Sequence, residues 1–426
     1  MDYLDFELHI SPGSGRQYPV TLVKSPAGVA SGTLRFPFDT LALEHQLRGL
    51  ELAVLKSGSL RRDIVLGSPE TASVADFGRQ LFGALFADQI QTAFRRSQDR
   101  AQSERKGLRV RLRVDAPDLA ALPWEFMYDP SEGDYVCLSS GTPVIRYFEF
   151  DRPPEVVTVQ RPLSVLGVIA SPSDRPALDV QHERERIEQA TSRLQASGDV
   201  KVEWLAGSTW RDLQRAMRRG PYHMLHFVGH GGFDPATGEG VLALTDDAGR
   251  SALLSATEMG RLLADHHSLR LVVLNACLGA RGSGEDVFSS TSSILVRRGV
   301  PAVVAMQYEI SDLAAIEFSR SFYDAIAEGL PIDAAVAEAR KAVSVSSRNS
   351  VEWATPVLHM SAPDGVLFRF EGPARPAAAI ASPPVPARPP ASVSEAAAPA
   401  AAPAVQLAVA APAAEAVRPR ALSTEA

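Results

Sequence analysis

The sequence predicts an α/β fold: a mainly parallel sheet with helices on both faces, preceded by a smaller α+β domain and followed by a disordered tail. Three observations carry this. From about residue 162 to residue 370, short apolar runs alternate with segments of helical spacing, the pattern of strands joined by helical crossovers. Before about residue 155, strand-like segments instead surround two long helical ones. Beyond residue 371 the chain is mostly Ala and Pro, with too little apolar surface to offset the entropy of ordering. The expected divisions are therefore 1–155, 156–370 and 371–426.

The first region opens with period-two alternation over Tyr3–Ile10 and Tyr18–Val23, with Thr33–Phe36 as a third strand. Helical spacing follows at Leu41–Lys56 and Val74–Arg96, then strands at Leu108–Val114, Tyr135–Leu138 and Pro143–Phe148. In the second region Leu163–Ala170 is a core strand, closed by the loop Ser171–Pro176. A helix over Val180–Ala196, a strand over Val200–Leu205 and a helix over Thr209–Arg219, capped by Ser208 or Thr209, come next. A strand ends at His230, a hairpin surrounds Gly240–Thr245, a helix spans Leu254–Ala264 and a second strand ends at Cys277. A helix at Val287–Arg297, the strand Ala302–Met306, helices Asp312–Glu328 and Ile332–Val345 and the strand Pro356–Met360 complete the pattern.

The composition excludes several functions. A net charge of −7 gives no basic surface for nucleic acid or anionic membrane. Two cysteines are too few for a disulfide framework and fit a reducing compartment. The start Met1–Asp5 has no signal-peptide pattern and no run reaches the length of a membrane span, so a cytoplasmic protein is expected. The run of arginines between Arg95 and Arg113 is interrupted by Asp99 and Glu104 and reads as a solvated face. No phosphate-binding loop occurs, and the spacing of His223, His226 and His230 is that of packing residues on a strand, so no metal or cofactor is expected.

The informative pair is His230 and Cys277. Each follows a short apolar run, and a βαβ crossover between them makes the two strands parallel. Ligands of such sheets bind beyond the carboxyl ends of the strands, which lie roughly 5 Å apart, so both residues reach one rim. An imidazole next to a thiol can generate the thiolate that is the effective nucleophile. Gly231 has no side chain to block a carbonyl, so its N–H and that of Cys277 form a candidate oxyanion hole.

The run His226–Gly232, H-F-V-G-H-G-G, and the run Val272–Gly279, V-V-L-N-A-C-L-G, resemble the CHAT family of caspase-like cysteine peptidases. So do Ala121–Pro130 (A-L-P-W-E-F-M-Y-D-P), Arg298–Gln307 and Trp353–Leu358. The resemblance covers about 119–370. It implies a caspase-like sheet and a cysteine endopeptidase with His230 as base and Cys277 as nucleophile, acting on a protein substrate. It also implies latency until a partner protein or signal completes the pocket, with the flexible segment Gly279–Gly284 as the part to be ordered, and a role in bacterial defence. The helical repeats that often precede this domain are absent from the sequence, so the sensing part is missing or different, a partner protein being the candidate for it.

By the same resemblance Asn275 helps to form the pocket for the residue before the cut. Asp174, Glu285, Asp286 and Asp312 lie near the rim and are candidate receivers for a lysine or arginine. Asp286 and Asp312 also stand at helix starts, where the dipole favours a carboxylate without any pocket role. Two other classes stay open: an interaction module of the same shape that binds without cutting, and an acyltransferase or amidase using the same dyad.

Overall fold

The computed structural model describes residues 2–59, 69–277, 287–347 and 350–371. Apart from Glu371, the tail expected to be disordered lies outside them. Strands β1 (Tyr3–Ile10), β2 (Gln17–Lys24) and β3 (Ala30–Arg35) open the chain, and helices α1 (Thr40–Ser59), α2 (Pro69–Leu85) and α3 (Asp88–Ser103) follow. The helical spacing over 74–96 is realised as two helices. The chain turns between them at Asp88, whose φ is +48°. The turn folds Phe94 back to within 4.4 Å of Phe86 and 5.3 Å of Phe6, ring to ring, so burial of three aromatic faces outweighs the strain of one residue.

Next come β4 (Gly107–Val114), α4 (Pro117–Ala120), β5 (Tyr128–Asp129), β6 (Asp134–Tyr135), β7 (Val144–Tyr147) and β8 (Val157–Val159). The strand expected over 135–138 shortens to the end of β6, and Val136–Leu138 is a 3-10 turn that buries Val136 and Cys137. The second region contains β9 (Leu163–Ile169), α5 (Val180–Ser197), β10 (Val200–Trp204), α6 (Trp210–Arg219), β11 (Met224–Asp234), β12 (Glu239–Thr245), β13 (Ser251–Ser255), α7 (Ala256–Leu263) and β14 (Leu271–Cys277). It closes with α8 (Val287–Arg297), β15 (Ala302–Met306), α9 (Asp312–Ala327), α10 (Ile332–Ser346), β16 (Pro356–Met360) and β17 (Phe368–Phe370). Thr209 caps α6 in a reciprocal box with Asp212, and Ser255 caps α7 in the same way with Glu258.

One sheet carries the fold, in the order β10-β9-β11-β14-β15-β16-β7-β4-β1-β2-β3. From β10 to β15 the strands are parallel; β16 reverses, and β7, β4 and β1 run parallel to β16. The sheet passes through residue 155 without a break, because His359 and Met360 of β16 pair with Arg146 and Tyr147 of β7. Helices cover both faces of the β10–β15 block. Met224, Leu271 and Val273 join a core with α5, α9 and α10, whereas the alternate residues Leu225, Phe227, Val272 and Leu274 join a second core with α6, α7 and α8.

Histidine burial makes this fold sensitive to acid. His226 hydrogen-bonds Tyr323 Oη through Nδ1 at 2.8 Å, and burial, with Arg186 adding to it, pushes its pKa down to about 4. Burial, with Arg146 adding to it, pushes His359 down to about 3. A folded pKa below the unfolded value of about 6.5 means that the unfolded chain binds more protons, so this stability is complete above pH 6.5 and lost as pH falls toward 4. The urea midpoint is expected to drop between pH 7 and pH 5, where few carboxylates titrate, and His226→Gln is expected to flatten that slope.

Candidate active site

Strand β11 is longer than its apolar run. Its first half lies between β9 and β14, parallel to both, and its second half, His230–Asp234, pairs antiparallel with β12. His230 stands at the change-over, with Cys277 as its register partner in β14 and Ala243 in β12. The hairpin expected around Gly240–Thr245 is thus built from β12 and β13, and the helix expected from Leu254 begins only at Ala256 because Leu254 pairs with Leu242.

The rim therefore joins the two residues singled out in the sequence. His230 is 4% exposed, and its Nε2 lies 2.8 Å from the carbonyl oxygen of Pro176 in the loop between β9 and α5. A carbonyl only accepts, so Nε2 carries the proton and the lone pair of a neutral ring is left at Nδ1. Val228 gives its carbonyl to the amide of Ala170 on the β9 side. Strand alternation then turns the amide of Gly231, three residues on, to the β14 side, beside the end of that strand. Asn275 is half-buried and pairs with Val228.

The acids separate. Asp174 Oδ1 accepts from the amide and hydroxyl of Ser251 at 2.8 and 2.6 Å, and these bonds, the hydroxyl's first, hold its carboxyl below the usual range. Asp312 is 2.8 Å from His182 Nε2 and 3.2 Å from Arg186 on α5; its pKa is lowered and that of His182 raised by their shared hydrogen bond. Both carboxylates thus have partners within the fold. Glu285, Asp286 and Gly279–Gly284 lie outside the described residues. Among the described residues no group of three His, Cys, Asp or Glu could hold a metal ion, and His223 accepts the amide of Ser164 at Nδ1, 3.0 Å away.

The remaining motifs are structural. Trp124 is fully buried, with Nε1 donating to Leu119 O at 2.9 Å, and Glu125 clamps Arg146 of β7. Phe126 meets Trp353 edge-on at 5.7 Å, which joins the Leu122–Pro130 segment to the Trp353–Leu358 one. A cavity of about 500 Å³ opens near the carboxyl ends of β4 and β7 and is lined by Arg113, Arg146, Phe148 and Arg297, none of them on the His230 rim. Sequence reasoning missed the Pro176 carbonyl. A backbone acceptor has no residue-type signature, although the loop bearing it is on the expected rim.

The class defined by this sheet and motif set is matched by a family profile, that of the CHAT domain, over residues 75–364. The chain belongs to the CHAT domain family. No curated protein matches it. Among solved structures, the Saccharomyces cerevisiae separase-securin complex is similar over 84% of this chain, at 10% identity and a TM-score of 0.46, and the matched part is 30% of that chain's length. The Arg specific cysteine proteinase gingipain R is similar over 76% of both chains, at 13% identity and a TM-score of 0.37. The complex of Porphyromonas gingivalis RgpB pro- and mature domains is similar over 78% of both, at 13% identity and a TM-score of 0.39. No helix among the described residues is long and apolar enough to cross a membrane.

Proposed function

We propose that the chain is a cysteine endopeptidase that hydrolyses a protein substrate through His230 and Cys277. The observation that supports this most is the register of β11 and β14, which makes the two residues direct partners at the rim. Paired positions on neighbouring strands lie roughly 5 Å apart and share a face of the pleat. The Pro176 carbonyl fixes Nε2–H, so Nδ1 of His230 takes the thiol proton.

The thiolate attacks the scissile carbonyl carbon, a C–S bond forms, and the oxyanion is held by the N–H groups of Gly231 and Cys277. As the C–N bond breaks, the imidazolium of His230 gives its proton to the leaving amine. Water, deprotonated by His230, then attacks the thioester; the C–S bond breaks and the acid product leaves. In this reading the enzyme is latent until a partner protein or signal activates it, and its regulated cleavage serves bacterial defence. A lysine or arginine preference would rest on Glu285 and Asp286, since Asp174 and Asp312 are engaged elsewhere.

The test is to co-express the chain with proteins encoded beside it and read new termini by mass spectrometry. Fragments that appear with the native chain and vanish with Cys277→Ala are expected. Stable binding without fragments from either form would favour the interaction module instead.

A further inference from the structure

We propose that Asp174 is a positioning residue that, with Ser173, latches the loop bearing Pro176 to the turn between β12 and β13, fixing the acceptor that orients His230. This rests on the peptidase reading above. The Pro176 carbonyl has no fixed place of its own. It sits in the loop from Ser171 to Asp179, between β9 and α5, and its position depends on what holds that loop.

The holding bonds run to one turn and to Ser251, the first residue of β13. The amide and hydroxyl of Ser173 both donate to Gly249 O, at 2.9 and 3.0 Å. Asp174 Oδ1 accepts from the amide and hydroxyl of Ser251, and Arg175 Nε donates to Ser251 Oγ at 3.2 Å. The loop's neck is closed by the Leu178 amide donating to Ser171 Oγ at 3.0 Å. The receiving turn has bonds of its own: Asp246 Oδ1 accepts the amides of Ala248 and Arg250 at 2.9 and 2.8 Å, and Gly249 takes a φ of +76° that disfavours any side chain.

From that turn β12 runs back to set Ala243 opposite His230. The base and its acceptor thus hang on the same hairpin, one through a strand ladder and the other through the latch. Carboxylate bonds to an amide and a hydroxyl are the strong members of this set, so Asp174 dominates it. A substrate-binding acid at this position would act through its charge, whereas a latch acts through its acceptor oxygen. The two are separable by substitution.

The experiment compares the native chain with Asp174→Ala, Asp174→Asn and the double variant Ser173→Ala/Ser251→Ala. The tautomer of His230 is read from long-range ¹H–¹⁵N spectra of ¹⁵N-histidine protein, assigned with His230→Gln, and Cys277 reactivity from iodoacetamide labelling by mass. The native ring is expected as the single Nε2–H tautomer. Asp174→Ala and the double variant are expected to mix tautomers and slow labelling about tenfold, the size of a small misplacement, while Asp174→Asn, which keeps the acceptor, retains both.

An unchanged tautomer in Asp174→Ala and in the double variant would overturn the latch, as would Asp174→Asn behaving like Asp174→Ala. Tautomer mixing in the latch variants, with native Cys277 no more reactive than a free thiol, would support the latch and count against the peptidase reading alone.

Discussion

Replacing Glu125 with alanine is expected to destabilise the fold by about 3–5 kcal/mol, the usual cost of leaving one member of a buried ion pair without its partner. Glu125 is fully buried, and its two oxygens lie 3.2 and 2.9 Å from Nε and one Nη of Arg146, which is 5% exposed. Arg146 also donates to Leu122 O at 2.7 Å, so this guanidinium joins the Leu122–Pro130 segment to β7, next to the β7–β16 pairing that links the two parallel blocks. The urea midpoint of Glu125→Ala measures the loss. The double variant Glu125→Met/Arg146→Met is expected to recover most of it, because neither charge of the pair is then left buried without its partner.

His230→Ala is expected to lower cleavage by about 10²–10⁴-fold, the ordinary contribution of a positioned base and acid. The residual rate should rise with pH as hydroxide takes over deprotonation of the thiol. Cys277→Ala is expected to abolish cleavage entirely, since no nucleophile then forms the acyl-enzyme. The check is the rate of fragment formation with a substrate found by co-expression, over pH 6 to 9. Equal losses in both variants at every pH would show that His230 does more than supply the base.

Much of this was legible in the residues. The runs ending at His230 and Cys277 are apolar on both faces, and only a central strand pair buries such runs, so their adjacency followed from composition and length. The hydroxyl cap Thr209 and the strands Tyr3–Ile10, Ala302–Met306 and Pro356–Met360 appear where period and punctuation put them. The break at Asp88 was not legible, because Phe82, Phe86 and Phe94 fit one helical stripe as well as they fit the folded aromatic cluster. Nor was the extension of β11: Gly231 and Gly232 read as a strand end, whereas pairing with β12 carries the strand to Asp234. The partners of Asp174 and Asp312 were not legible either, because a partner 77 or 130 residues away leaves no local signal. The Pro176 carbonyl is invisible to residue type altogether.

The most direct measurement uses the chain's second cysteine as an internal control. Cys137 is 1% exposed, its sulfur donates to Glu125 O at 3.1 Å, and burial pushes its thiol up to about 12, so it should not react in the folded protein. Iodoacetamide labelling of the native chain at pH 6 to 8, read by intact mass and peptide mapping, is predicted to give one adduct, at Cys277, faster at pH 6 than a free thiol of pKa about 8.5 would allow, and slowed in His230→Ala. A Cys277 that reacts with the pH profile of a free thiol, unchanged by removal of His230, would contradict the dyad.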